Sequence, residues 1–290
     1  MRKCLELRVW RVALGLTAAV AVTLSLSCSP TANEGQSAAY KAPRLKGTDK
    51  PDLTGVWQAL VTANWDIQDH SPDAGPFPRL VGIWGAQPPG QGIVDGNEIP
   101  YRPDALAKKQ ENARNRLTID HDNLNTVGDP EAKCYLPGVP RATYLPFPFQ
   151  ILQSTDKVVI AYQFANANRT IPIGKAVEPP VDFWMGWSNA HWEGESLVID
   201  VKGFNDMTWF DRAGNHHSDA LHVVERYTPI TPYHLMYEAT IEDPKVFTRP
   251  WKMTFPLYRR MEKNAQLLEF KCVDLSEEYL YGGLLKKSSE

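Results

Sequence analysis

From Phe149 onward the chain is a close series of short strand signals, and few architectures accommodate that. Phe149–Gln153 and Lys157–Phe164 alternate apolar and polar positions or form short β-branched runs. Arg169–Ile173, Asp182–Trp192, Ser196–Val201, Leu221–Tyr227, His234–Ile241, Trp251–Arg260 and Leu267–Val273 follow. Glu193-Gly194-Glu195 reads as a hairpin turn between two of them. No βαβ rhythm appears, which argues against a parallel α/β sheet. Many strands joined by meander-like turns predict an antiparallel barrel, with a β-sandwich as the alternative. Val181 to Thr228 holds no proline, so the centre of the sheet is expected there.

The first half of the chain reads differently. Residues 66–101 are rich in Pro and Gly without a clear period and predict a long loop. Pro103 suits a first helical position, and the polar helix formers after it predict a surface helix to Leu117. Pro137 to Pro148 is proline-rich again. The 23 Pro and 9 Trp suit an all-β domain with long ordered loops better than a helical bundle. A formal charge of −3 gives no nucleic-acid footprint.

Residues 1–27 have the layout of a signal peptide. Arg2, Lys3, Arg8 and Arg11 precede an apolar run from Val12 to Leu26, shorter than the roughly 20 residues of a membrane-spanning helix. The run ends at Ser25-Leu26-Ser27-Cys28, which resembles a bacterial lipoprotein cleavage site and implies lipidation at Cys28. Ordinary cleavage within Ser27–Ala39 is the alternative, and both routes export the chain. Residues 1–27 carry a net +3, so their removal takes the formal charge from −3 to −6. Residues 28–50 read as a flexible tether and 51–287 as one β-barrel domain. The expected location is the periplasm, at the outer membrane, held by the N-terminal lipid alone. Cys134 and Cys272 remain, either as a disulfide or as two free thiols.

The usual catalytic strings are missing: no GxSxG, HExxH or P-loop occurs. Phe183 to Tyr227 stands out instead. It holds His191, His216, His217 and His222 of the chain's seven histidines, and four of its nine tryptophans. In Leu221–Tyr227, strand parity puts Leu221, Val223, Glu225 and Tyr227 on one face and His222, Val224 and Arg226 on the other. Glu225 among apolar neighbours is then the rim of a cavity or one half of a buried pair.

Gly55-Val56-Trp57 near the first strand resembles the Gly-x-Trp of lipocalin-like barrels, where the tryptophan closes the barrel. Trp192-Glu193-Gly194 through Asp200, Gly203-Phe204-Asn205-Asp206, Thr208-Trp209, Asp211, Gly214, His217-Ser218 and Leu221-His222-Val223 through Tyr227 are similar to a recurring signature of a family of uncharacterised secreted bacterial proteins. Cys134-Tyr135-Leu136-Pro137 and Arg249-Pro250-Trp251 extend the likeness, to roughly residues 51–275. The resemblance implies a secreted domain and brings no activity with it.

The residue types suggest a lipocalin-like antiparallel barrel that encloses a small hydrophobic or aromatic molecule. Trp184, Trp187, Trp209, Phe204 and Tyr227 would line the cavity, and Asn205 and Arg226 would hold a ligand oxygen or carboxylate. One reading is an acid–base enzyme without an organic cofactor, a lyase, isomerase or cyclase, in which His217 and His222 move protons beside Asp211 and Glu225. A second is a non-catalytic binding lipoprotein. A third is a hydrolase with a metal at His216, His217, His222 and Asp211. His217-Ser218-Asp219 is a poor triad, because adjacent side chains point apart. The bland alternative for all of these groups is a polar network that fixes the loop Gly203–Leu221. No feature sets the oligomeric state.

Overall fold

The computed structural model describes residues 40–74, 86–116 and 128–271. The expected signal segment, Cys28 and Cys272 lie outside them, as does Asp274–Leu285, for which the sequence predicts a short terminal helix. No described helix is long and apolar enough to cross a membrane.

The described elements run β1 (Gly55–Ala59), the two-residue β2 (Asp73–Ala74) and β3 (Ala86–Gln87), α1 (Pro103–Asn115) and the single turn α2 (Arg141–Tyr144). Then come β4 (Phe149–Gln153), β5 (Lys157–Tyr162), β6 (Asn168–Pro172), β7 (Trp187–Glu193), β8 (Ser196–Lys202), β9 (His222–Thr231), β10 (His234–Glu242) and β11 (Trp251–Arg259). Nine of the strands form one sheet in the order β6-β5-β4-β1-β11-β10-β9-β8-β7, and every paired neighbour is antiparallel. The sheet curls into a nearly closed barrel, so the protein is an all-β barrel and the sandwich alternative falls away. Inward positions alternate with outward ones, as in the burial of Val223, Glu225 and Tyr227 on β9.

Strand parity decides how the barrel closes. Eight antiparallel steps leave the first and last of nine strands pointing the same way. β6 and β7 therefore meet as parallel neighbours, through the single bridge Ile173↔Ala190 and a bond from the Gly174 N–H to the Ala190 carbonyl at 2.9 Å. Parallel neighbours need a crossover rather than a hairpin. Residues 174–186 supply it. Gly186 ends that return at φ +65, where a Cβ would sit 2.7 Å from Phe204 and Val201.

The proline-free region is not the middle of the sheet, contrary to expectation. β7 and β8 lie at one end of the strand order, while Pro229 and Pro256 sit within β9 and β11. Each lies just past the last paired residue of a neighbouring strand. β8 stops pairing β9 at Tyr227, and β1 stops pairing β11 at Leu257. Further along, the edge that β1 leaves free is covered by the long first-half loop: the Thr254 N–H donates to the Ile93 carbonyl at 2.8 Å. Residues 267–271 form no strand. Phe270 packs instead against Phe147 and Phe164, with ring centroids 5.2 and 5.0 Å away.

Trp57 is buried in the core, and the Arg259 guanidinium lies 4.2 Å over its ring. The chain joins the barrel earlier than Pro51. Arg44 donates twice to Glu195 at 2.8 Å, and Arg44 bridges to Pro51, so residues 40–50 are docked rather than free tether. Cys134 is disulfide-bonded. Around it, the segment Gly128–Leu145 is held by a buried charge cluster. Arg141 donates to both Asp129 oxygens at 2.7 and 2.8 Å, to Asn64 at 3.0 Å and to Glu131 at 3.1 Å, and Arg212 binds the far side of Glu131 at 2.9 Å. Burial would raise Glu131, but the two guanidiniums outweigh it and hold it at about 2.

Candidate functional site

The incomplete join between β6 and β7 opens a cleft of about 480 Å³. Phe183, Trp184, Met185 and Trp187 form much of its wall, and Arg169 and Ser188 are its buried polar lining residues. The wall is fixed from behind. Phe183 and Trp187 stack at 5.6 Å, Trp184 leans on Tyr135 at 5.1 Å, and the Trp187 indole N–H donates to the Val177 carbonyl at 2.9 Å. Backbone bonds tie Phe183 to Gly203 and Asn205 at 2.8 and 3.1 Å. Gly203-Phe204-Asn205, part of the sequence signature, thus scaffolds the cleft wall.

Beneath the cleft a polar cluster crosses the barrel interior. Arg169 on β6 meets Glu225 on β9 at 2.5 Å, and Glu225 also accepts the hydroxyls of Tyr227 and Tyr237 at 3.1 and 3.0 Å. Arg169 further donates to Ser188 Oγ at 2.8 and 3.2 Å and to the Tyr162 hydroxyl at 3.3 Å. Burial, chiefly, raises all three tyrosines, so they remain protonated donors. Of the two readings of Glu225, the geometry is that of the buried pair.

The expected catalytic residues lie in four different surroundings. Glu225 is in the barrel interior. His217 is buried against Phe204 and Phe210, with Nε2 2.6 Å from the Thr208 hydroxyl and Nδ1 2.8 Å from the Ser218 carbonyl. The carbonyl can only accept, so Nδ1 carries the proton and Nε2 accepts from Thr208. Burial lowers the His217 pKa, consistent with that neutral form. His222 sits on the outer face of β9 between Asp200 at 2.8 Å and Glu242 at 3.3 Å. Asp211 is fully buried and accepts from the Asn215 and Ile67 backbones at 3.1 and 2.9 Å and from the Asn215 side chain at 2.6 Å. No hydrogen bond or ion pair joins any two of these four.

Among the expected ligand contacts, Trp184 and Trp187 share the seam cleft, and Tyr227 lies beneath it. Arg226 points outward to Glu193 at 2.6 Å. Asn205 caps the Met207 N–H at 3.3 Å. Trp209 lines a separate groove of about 380 Å³ beside α1, with His216, His217 and Ser218. Burial, then the neighbouring His217, holds His216 down to about 4. His216, His217 and His222 do not converge as metal ligands, and no group of three or more His, Cys, Asp or Glu among the described residues is placed to hold a metal.

The polar residues of the loop Gly203–Leu221 are largely engaged with the chain itself. Ser218 bonds Asp243 through its N–H at 2.6 Å and its hydroxyl at 2.9 Å. Gly214, at φ +86, lies so close to α1 that a Cβ would meet the Lys109 carbonyl at 2.5 Å. This arrangement makes Asp211 a pH-sensitive fastener. Burial, then the Asp66 charge, pushes it up to about 7. The folded protein then holds that proton more tightly than the unfolded chain. The associated stability is full below the ordinary Asp value near 4 and is lost as pH rises to about 7. Asp211→Asn should flatten this part of the stability–pH curve between about pH 4 and 7. It should also cost about 1–3 kcal/mol, because one N–H then faces an amide NH₂. Urea unfolding at several pH values checks both effects.

Sequence reasoning missed Arg169 and Ser188. The signal for Arg169 was its strand parity with Ile171, which places a guanidinium on an otherwise apolar inward face. Ser188 carried no such signal. No protein-family model matches the chain, and no curated protein matches it either.

Proposed function

We propose that the protein is an exported, non-catalytic binding protein for a small hydrophobic molecule, held in the seam cleft of the barrel and tethered to the membrane through Cys28. One observation carries this reading: the barrel wall is incomplete where Trp184 and Trp187 line a cleft together with the buried, hydrogen-bonded Arg169 and Ser188. An aromatic-walled opening of about 480 Å³ with a few buried polar groups suits a small ligand. The acid–base reading is less well supported, because His217, His222, Asp211 and Glu225 do not share an open pocket. The signal-like segment 1–27 supports export.

Titration with the uncharged fluorescent probe N-phenyl-1-naphthylamine tests the proposal. Saturable enhancement is expected, and Trp187→Ala should weaken it about tenfold through lost stacking and burial. Circular dichroism of the variant checks that the barrel persists. An absence of saturable binding, or affinity untouched in both Trp187→Ala and Trp184→Ala, would refute the proposal.

A further inference from the structure

Arg169 and Ser188 are buried polar groups of the seam cleft. Arg169 has five N–H donors. Nε and one Nη2 proton go to Ser188 Oγ, the other Nη2 proton goes to Glu225, and one Nη1 proton goes to Tyr162. One Nη1 proton has no acceptor among the described residues. Ser188 Oγ receives two of these bonds and donates none, so its own O–H is also unspent. Glu225 is the reverse: both its oxygens are occupied, by Arg169 and by the two tyrosine hydroxyls. The base of the cleft therefore offers two donors, and its one carboxylate is already engaged.

Charge narrows the choice further. Glu225 at 2.5 Å neutralises the guanidinium, so the base has no net positive charge to offer an anion. A carboxylate ligand would place a second anion around one guanidinium in a dry interior, and Asp182 at the lining adds a like charge. An ammonium ligand could meet Asp182 but would find only donors at the base. A pure hydrocarbon would leave both donors dry, which costs free energy.

We infer that the cleft takes an uncharged, aromatic or alicyclic molecule with a carbonyl oxygen, as in a ketone, ester, lactone or amide, and that this oxygen accepts from the Ser188 hydroxyl and the free Arg169 N–H. The inference rests on the cleft being the ligand site. It makes Ser188 a specificity-determining residue.

Calorimetric titration of the purified full chain with one carbon skeleton and four head groups tests it: 2-acetylnaphthalene, 2-ethylnaphthalene, 2-naphthoate and 2-(aminomethyl)naphthalene. The ketone should bind about tenfold more tightly than the hydrocarbon, the increment of one or two buried hydrogen bonds. The naphthoate and the amine should bind more weakly than the ketone. Ser188→Ala should remove most of the ketone's advantage over the ethylnaphthalene. Equal binding of ketone and hydrocarbon, or tightest binding of the acid or the amine, overturns the carbonyl assignment while the cleft stands. If none of the four binds, the cleft itself is the wrong site. The wild-type series decides the matter even if the Ser188 variant fails to fold.

Discussion

Glu225→Gln should lower the free energy of unfolding by about 3–5 kcal/mol at pH 7, measured by denaturant titration. The cause is the guanidinium left behind. Arg169 is buried inside the barrel, and Glu225 is its only carboxylate partner among the described residues. Once that carboxylate is gone, an unpaired charge remains in the interior, far costlier than the lost bond alone. Arg169→Met should be damaging for the converse reason. The double variant Arg169→Met/Glu225→Gln should recover most of the loss, because no charge remains and glutamine still accepts from Tyr227 and Tyr237. A double-mutant cycle gives the coupling directly, and additive single effects would show that the two groups do not act as a pair. The double variant should also lose the ketone preference, since the base of the cleft has lost its guanidinium.

Arg141→Met should be at least as severe, a loss of about 4 kcal/mol or more, read as a lower urea midpoint or as failure to fold. Arg141 is 1% exposed and serves Asp129, Glu131 and Asn64 together. Its removal leaves two buried carboxylates with Arg212 as the remaining guanidinium among the named partners. Arg141→Lys should fall between, because an ammonium cannot reproduce the two-pronged contact with Asp129. The same cluster sets an acid limit. Glu131 is held at about 2 in the folded state, below its ordinary value. Its contribution is therefore full above the ordinary Glu value near 4.3 and is lost as pH falls toward 2. Unfolding of the wild-type chain between pH 5 and 2 should show that slope, and it should shrink in Glu131→Gln.

The barrel was legible because period-two burial is local. The inward set Val223, Glu225 and Tyr227 follows from parity alone, and β9 obeys it. What β9 faces is not local. Arg169 lies 56 positions away, and only the curl of nine strands brings it to Glu225. The histidines show a different limit. His217 and Asp211 have the chemistry of proton carriers, and that chemistry equally suits a loop fastener. What separates the two is the use of each nitrogen and oxygen, and for these residues it goes to Thr208, the Ser218 carbonyl, Asn215 and Ile67. Residue type cannot reveal that. The prolines misled for a related reason. A proline interrupts a ladder only where a neighbour is present, and strand lengths, which decide this at Pro229 and Pro256, are a property of pairs.

The closing step between β6 and β7 has a mechanical meaning. Eight joins around the barrel are antiparallel ladders, of three residue pairs or more, and each can be parted only by breaking a row of backbone bonds. The ninth is a parallel contact, forced by an odd count, with one backbone bridge and a few crossover contacts. A cylinder built this way has one line of weakness, as a stave barrel does where the last stave is set. Breathing of the wall concentrates there. Its amides should exchange with solvent sooner than those of β9 and β10, and a molecule entering along it need not melt a single ladder.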